Sequence, residues 1–252
     1  MRPFLEVCCG SLASTLAAQE GGAYRVELCD NLYEGGTTPS MGQIELARKL
    51  LRIKLHVIIR PRGGDFLYTD LEYRTMLADI QRCKESGVDG VVVGFLNPDG
   101  GIDCQRVTEV ISLARPMAVT FHRAFDLAND PILALDELKH CGVDRILTSG
   151  QRNSAIEGAG LIRQLVERAG RDLIIMPGGG LTEDNIRDFV RMAGAREYHA
   201  TLRREVESRM SYRREGIYMG GLPQIPEYST LETDPERVRR FVKQLEGEGD
   251  SN

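Results

Sequence analysis

The sequence predicts a (β/α)8 TIM barrel built as a single domain. Eight short β-branched or apolar runs recur along the 252 residues. Each is followed by a longer amphipathic stretch, and an eightfold βα alternation closes on itself as a parallel barrel. Three connecting units, "QEGGAYRVEL", "KESGVDGVVV" and "KHCGVDRILT", place glycine between a helix end and the next strand, where a left-handed residue stops the helix. The chain length also suits one α/β barrel.

In chain order the strands are "FLEVCC", "YRVELC", "LHVIIRP", "GVVVGFL", "MAVTFHR", "RILTSG", "LIIMPGGG" and "EYHAT". Ser40 is placed to cap the helix from Met41, and Thr182 the one from Glu183. Asp130 caps a helix with Pro131 in its first turn. After "EYHAT" a long irregular segment rich in glycine and proline leads to Thr233, whose "TDPE" opens a C-terminal helix to about Leu245. The barrel domain is expected over 1–248 and a disordered tail over 249–252.

Within "FLEVCC" and "YRVELC" a glutamate and a cysteine stand two positions apart. A strand turns residues i and i+2 to the same face, so Glu6 shares a side with Cys8 and Glu27 with Cys29, while Val7 and Leu28 take the other side and Cys9 points away from Cys8. Barrels place their chemistry at the C-terminal ends of the strands, and here those ends are polar. They carry Glu6, Cys8, Glu27, Cys29, Asp30, His56, Arg60, Thr120, His122 and His199. Glu6, Glu27, His122 and Asp126 are the candidates for proton transfer. Two carboxylates facing one mouth repel, so one pKa is expected to rise unless Arg60, His122 or a cation compensates.

The loops add donors for a small anionic molecule: Arg60 and Arg62 in "RPRGGDF", and Gly178, Gly179 and Gly180 in "MPGGGLTEDN". The alternative for the three glycines is a tight turn needing positive φ. No lysine stands at a strand's C-terminal end, which argues against a Schiff-base aldolase. For a metal the sequence offers two sets. Cys8 and Cys29 suit a soft ion such as Cu(I), whereas Glu6, Glu27 and His122 suit a harder divalent ion. Cys83, Cys104 and Cys141 fall on helical segments and are read as inert buried thiols.

Six cysteines without a Cys-x-x-Cys pair do not resemble a disulfide framework or a zinc finger, so reduced thiols and a cytoplasmic location are expected. The start of the chain lacks signal-peptide organisation. No apolar run approaches the ~18 residues of a membrane span, so no membrane partner is expected. A net charge of −5 argues against nucleic acid. The 27 arginines against 5 lysines favour local bidentate anion sites. No nucleotide cofactor is expected.

The motifs "EVC", "ELCDNLYEGGTTPS", "IRPRGGDFLY", "TFHRAFD", "LTSG" and "MPGGG", in this order, resemble the copper homeostasis protein CutC family over nearly the whole chain. The resemblance implies a cytosolic (β/α) barrel, often a homo-oligomer (dimer or tetramer), with copper bound through cysteines that fall here on Cys8 and Cys29. Two functions follow. One is Cu(I) binding and copper handling. The other is an enzyme of acid-base or metal-assisted chemistry, a lyase, isomerase or hydrolase, acting on a small anionic or phosphorylated substrate at the mouth.

Overall fold

The computed structural model describes residues 3–220 and 225–247. Eight parallel strands form the barrel: β1 (Phe4–Cys9), β2 (Arg25–Leu28), β3 (Lys54–Ile58), β4 (Gly90–Val93), β5 (Ala118–Phe121), β6 (Arg145–Thr148), β7 (Ile174–Pro177) and β8 (Glu197–Ala200). They run in sequence order, β8 returns to pair with β1, and a parallel bridge from Gly178 to His199 closes the ring. Around them lie α1 (Leu12–Glu20), α2 (Met41–Leu50), α3 (Asp70–Glu85), α4 (Cys104–Ala114), α5 (Pro131–Cys141), α6 (Ala159–Ala169) and α7 (Ile186–Ala193).

The glycine device operates as expected. Gly22, Gly87 and Gly142 all hold positive φ after α1, α3 and α5, and Ser40 and Asp130 accept hydrogen bonds from first-turn amides. Two helix starts differ. Helix α7 begins at Ile186 rather than Glu183, because Asn185 folds back to accept from the Thr182 amide and donate to the Gly180 carbonyl. Asp234, not Thr233, caps α8 (Pro235–Glu246); Thr233 is buried at the end of a strand.

The irregular segment after β8 is paired at its two ends. Strand β9 (Arg203–Glu207) and strand β10 (Ser229–Thr233) form an antiparallel ribbon, which leads into α8. The arm between them exposes Met210, Tyr212, Ile217, Tyr218 and Met219. The expected tail at 249–252, with residue 248, lies outside the described residues.

Strand side chains divide by alternation. Val7, Val26, Leu28, Val57, Val91, Val93 and Ile146 face the helices in one continuous apolar cluster that includes Cys9 and Cys83, where each fully buried aliphatic contributes about 1.5–3 kcal/mol. The inward positions are different. Instead of stacked aliphatic layers, the floor of the barrel holds Glu6, Arg25, Arg145 and Glu197, all buried. Arg25 donates to both Glu6 and Glu197, and Arg145 Nε lies 3.1 Å from Glu197 Oε2. Two guanidiniums and two carboxylates balance in charge, as such burial requires.

Candidate metal and ligand site at the barrel mouth

Above this floor β1, β2 and β8 bring Cys8, Cys29, Glu27 and His199 together. The Cys8 and Cys29 sulfurs lie 3.6 Å apart as free thiols, walled by Ile58, Val92 and Leu32. One ligand atom each from Cys8, Glu27 and His199 lies within 4.8 Å of the others, all three residues buried. His199 Nδ1 is 2.9 Å from Glu6 Oε1, and its Nε2 is 3.6 Å from Glu27 Oε2. A carboxylate behind a histidine fixes the ring and leaves the second nitrogen for a ligand or a proton.

The two glutamates are not equivalent. Burial would raise the Glu6 carboxyl, but Arg25 and His199 outweigh it and hold it well below the usual carboxylate range. Burial and the adjacent Cys8 push Glu27 well above that range. One pKa of the pair therefore rises, and the groups holding the other down are Arg25 and His199, not Arg60 or His122. The Cys29 hydrogen bond, with His199, brings the Cys8 thiol well down against burial. Burial, then Cys8, pushes Cys29 up. His199 is disfavoured by burial but raised further by Cys8, Glu6 and Glu27. The shifts run in opposite directions across the site: the surroundings favour the charged forms of Cys8 and His199 and the neutral forms of Cys29 and Glu27.

The mouth is a cavity of about 310 Å³ lined by Cys8, Glu27, Arg60, His122, Arg123, Asp126 and His199, among others. His122 stands just beyond β5, where its Nδ1 accepts from the Ala124 amide. Burial, with Arg60 nearby, drops its pKa to about 3, so it is neutral. Room for the ring comes from Gly94, where a Cβ would fall 2.2 Å from His122 Cε1. Gly90 makes the same room for His56 lower down, 2.5 Å from Nε2.

Other residues read from the sequence fall as follows. Arg60 lines the mouth, but its Nη atoms donate to the carbonyls of Glu34, Gly36 and Gly64, clamping two loops. Arg62 does not join them. Its guanidinium lies over the Tyr68 ring and pairs with Glu72 and Asp65. Asp126 lines the mouth with its oxygens accepting from Thr148, Ser149, Gln151 and Arg123. Gly179 and Gly180 border a second lobe, both at positive φ, and Gly178 lies against Leu147 with no space for a Cβ. Each of the three thus has a backbone reason independent of any ligand. The hard-ion set is not assembled: Glu6 is engaged by Arg25, and His122 is absent from the group that could share an ion.

The strand ends named His199, but sequence reasoning did not make it a site residue, and it passed over Arg25, Arg145, Glu197 and Arg123. A signal existed for two of them. Arg25 stands two before Glu27 and Glu197 two before His199, so the same-face rule that linked Glu6 to Cys8 links them too.

The CutC family model matches residues 4–204. The chain belongs to the CutC family. A CutC family protein of Chromobacterium violaceum is 52% identical over 246 residues, 98% of this chain and 99% of that one. The human copper homeostasis protein cutC homolog is 45% identical over 235 residues, covering 93% of this chain and 86% of its own. Among solved structures, CutC of Streptococcus agalactiae superposes with a TM-score of 0.76 at 37% identity, over 79% of this chain and 98% of that one. Among the described residues, no helix is long and apolar enough to cross a membrane.

Proposed function

We propose that this CutC family member binds Cu(I) through Cys8 and Cys29, with His199 as a third donor, in cytosolic copper handling. The observation that carries the reading is the pair of free thiols 3.6 Å apart, of which Cys8 also lies within 4.8 Å of ligand atoms of His199 and Glu27. Two thiolates sharing one ion at ~2.3 Å stand ~3.8 Å apart at the tetrahedral angle, so the resting pair needs little movement. The thiol pair is soft, which suits Cu(I), and burial with the adjacent Cys8 raises the Glu27 carboxyl, which disfavours it as a hard carboxylate donor. The test is an anaerobic competition titration with a Cu(I) chelator. Cys8→Ser and Cys29→Ser should each lower affinity by at least about tenfold and Cys104→Ser should not; equal affinities across the three would remove the thiolate site.

A second reading is supported by the Glu6–His199 pair, which orients an imidazole towards Glu27 and Cys8. In it the chain is a lyase, isomerase or hydrolase acting on a small anionic substrate by acid-base or metal-assisted chemistry. Metabolite consumption in a cell extract, followed by mass spectrometry, should show a compound that the wild type depletes and Glu27→Gln leaves intact. If the two profiles match, this reading fails. Under either reading we propose a homo-oligomer, dimer or tetramer, with no nucleic-acid or membrane partner; a monomeric mass by light scattering would contradict the assembly.

A further inference from the structure

The tautomer of His122 is set by its surroundings. Its Nδ1 accepts from the Ala124 amide, so the ring proton of the neutral imidazole lies on Nε2, and Nε2 is buried with no acceptor. A buried donor left unpaired costs about 1–3 kcal/mol. His122 is 5% exposed, lines the mouth cavity, and packs against Phe66 with ring centroids 4.9 Å apart. Ile58, Phe66, Leu127 and Leu147 give that cavity apolar walls.

The mouth continues into a second lobe of about 420 Å³ that shares Cys8, Gly35, Arg123 and His199 with the first. Among the described residues, the amides of Gly179, Gly180 and Leu181 donate to no protein acceptor. The Arg123 guanidinium donates through Nε to Asp126 and through Nη2 to Ser149 and the Arg152 carbonyl, and its Nη1 lies against Gly179, 3.7 Å from where a Cβ would stand. Arg203 also lines this lobe; the ion pair with Asp234 belongs to its neighbour Arg204, and the Arg203 guanidinium makes none among the described residues. Successive free amides beside two guanidiniums are a recurrent way to hold a phosphoryl group.

We propose that the mouth binds a short organic phosphate, with its phosphoryl group on Arg123, Arg203 and the Gly179–Leu181 amides and a carbonyl or hydroxyl oxygen accepting from His122 Nε2–H. The apolar walls of the first lobe take the carbon skeleton, and the charged donors are gathered in the second. A neutral imidazole donor polarises a carbonyl without placing a full positive charge beside it. The site deepens the enzymatic reading by naming its substrate class, but binding here needs neither turnover nor copper.

The test uses metal-free, reduced full-length protein and isothermal titration with two probes, inorganic phosphate and dihydroxyacetone phosphate. The phosphoketone should bind about tenfold more tightly than inorganic phosphate, one added oriented contact being of that order. Arg203→Gln should weaken both probes about tenfold at unchanged melting temperature. His122→Asn keeps an acceptor for the Ala124 amide and removes the Nε2–H donor. It should abolish the advantage of the phosphoketone and leave inorganic phosphate unaffected, while His122→Gln, which restores a donor, should recover part of it. No binding of inorganic phosphate at millimolar concentration overturns the proposal. So does equal affinity for the two probes, or an equal loss of both in His122→Asn. Cu(I) affinity in the cysteine variants reports on the copper site alone, and a probe that binds without being consumed sinks only the enzymatic reading.

Discussion

Glu6 Oε1 lies 2.9 Å from His199 Nδ1 while the other oxygen of the same carboxylate takes Arg25. This carboxylate joins the ionic floor of the barrel to the thiol site above it. Glu27, one strand over, stands beside the same histidine without an arginine. The two glutamates look alike in the sequence and differ in their support.

Their conservative variants are therefore expected to diverge. Glu6→Gln leaves Arg25 partly unpaired and should destabilise the fold by about 3–5 kcal/mol, as when one partner of a buried pair is removed. Glu27→Gln replaces a carboxyl whose charged form is disfavoured by burial and by Cys8 and should shift stability by less than about 1 kcal/mol. Urea unfolding of both variants decides it, and equal effects would contradict the split.

Thiol reactivity should follow the same network. Cys8, depressed by Cys29 and His199, faces the mouth, whereas Cys9, raised by burial and Cys8, faces the helices. Iodoacetamide at pH 6.5 should modify Cys8 first. His199→Gln should slow that reaction by at least about tenfold, as the thiolate fraction falls. Peptide mapping that finds Cys9 or Cys83 modified first would count against the thiolate-imidazolium pair.

Acid should destabilise the protein through its buried neutral histidines. Burial lowers both His56 and His122 to about 3, while unfolded imidazoles titrate near 6.5. As pH falls below about 6.5 the unfolded state takes up protons that the folded state refuses, so stability drops until the folded groups titrate near pH 3. Each group contributes a slope of about 1.4 kcal/mol per pH unit in that window. His122→Asn should remove one such slope between pH 6 and 4, and chemical denaturation of variant and wild type across that range reads the difference. Parallel pH profiles would mean that His122 is protonated in the folded state.

A lower window belongs to Glu183. Arg237 and Arg240 both donate to it, outweighing burial and holding it at about 2. Its contribution is present above the ordinary carboxylate range and lost as pH falls towards 2. Since this pair ties the start of the α7 segment to α8, Glu183→Gln should loosen α8 at neutral pH. Faster hydrogen exchange confined to 235–246 is the expected sign, and unchanged exchange there would contradict it.

The fold was legible in the sequence because its signals are local. Alternation around Glu6, Cys8, Glu27 and Cys29 placed the thiols on one face, and the glycines after α1, α3 and α5 marked the parallel crossovers. The partners that set charge were not legible. Arg25 meets Glu6 on the neighbouring strand, but Arg25 of β2 and Arg145 of β6 both reach Glu197 of β8 past an intervening strand, and nothing in one strand states which non-adjacent strand it meets inside a closed ring. Arg62 misled because it shares the loop after β3 with Arg60, and proximity in a loop does not state direction: its guanidinium turns to Glu72, Asp65 and the Tyr68 ring. Asp234, nearer the first helical residue, took the capping role from Thr233, while Asn185 at the start of α7 turns its side chain back to Thr182 and Gly180 and caps no helical amide.

Copper K-edge X-ray absorption on protein loaded anaerobically with one equivalent of Cu(I) tests the central claim most directly. The proposed site requires a sulfur shell near the ~2.3 Å of metal-thiolate bonds, with a light-atom contribution from His199. That sulfur amplitude should be reduced in Cys8→Ser, reduced in Cys29→Ser and unchanged in Cys104→Ser. A spectrum identical in the wild type and in the Cys8→Ser/Cys29→Ser double variant would show that copper binds elsewhere, and the thiol pair at the barrel mouth would lose its assigned role.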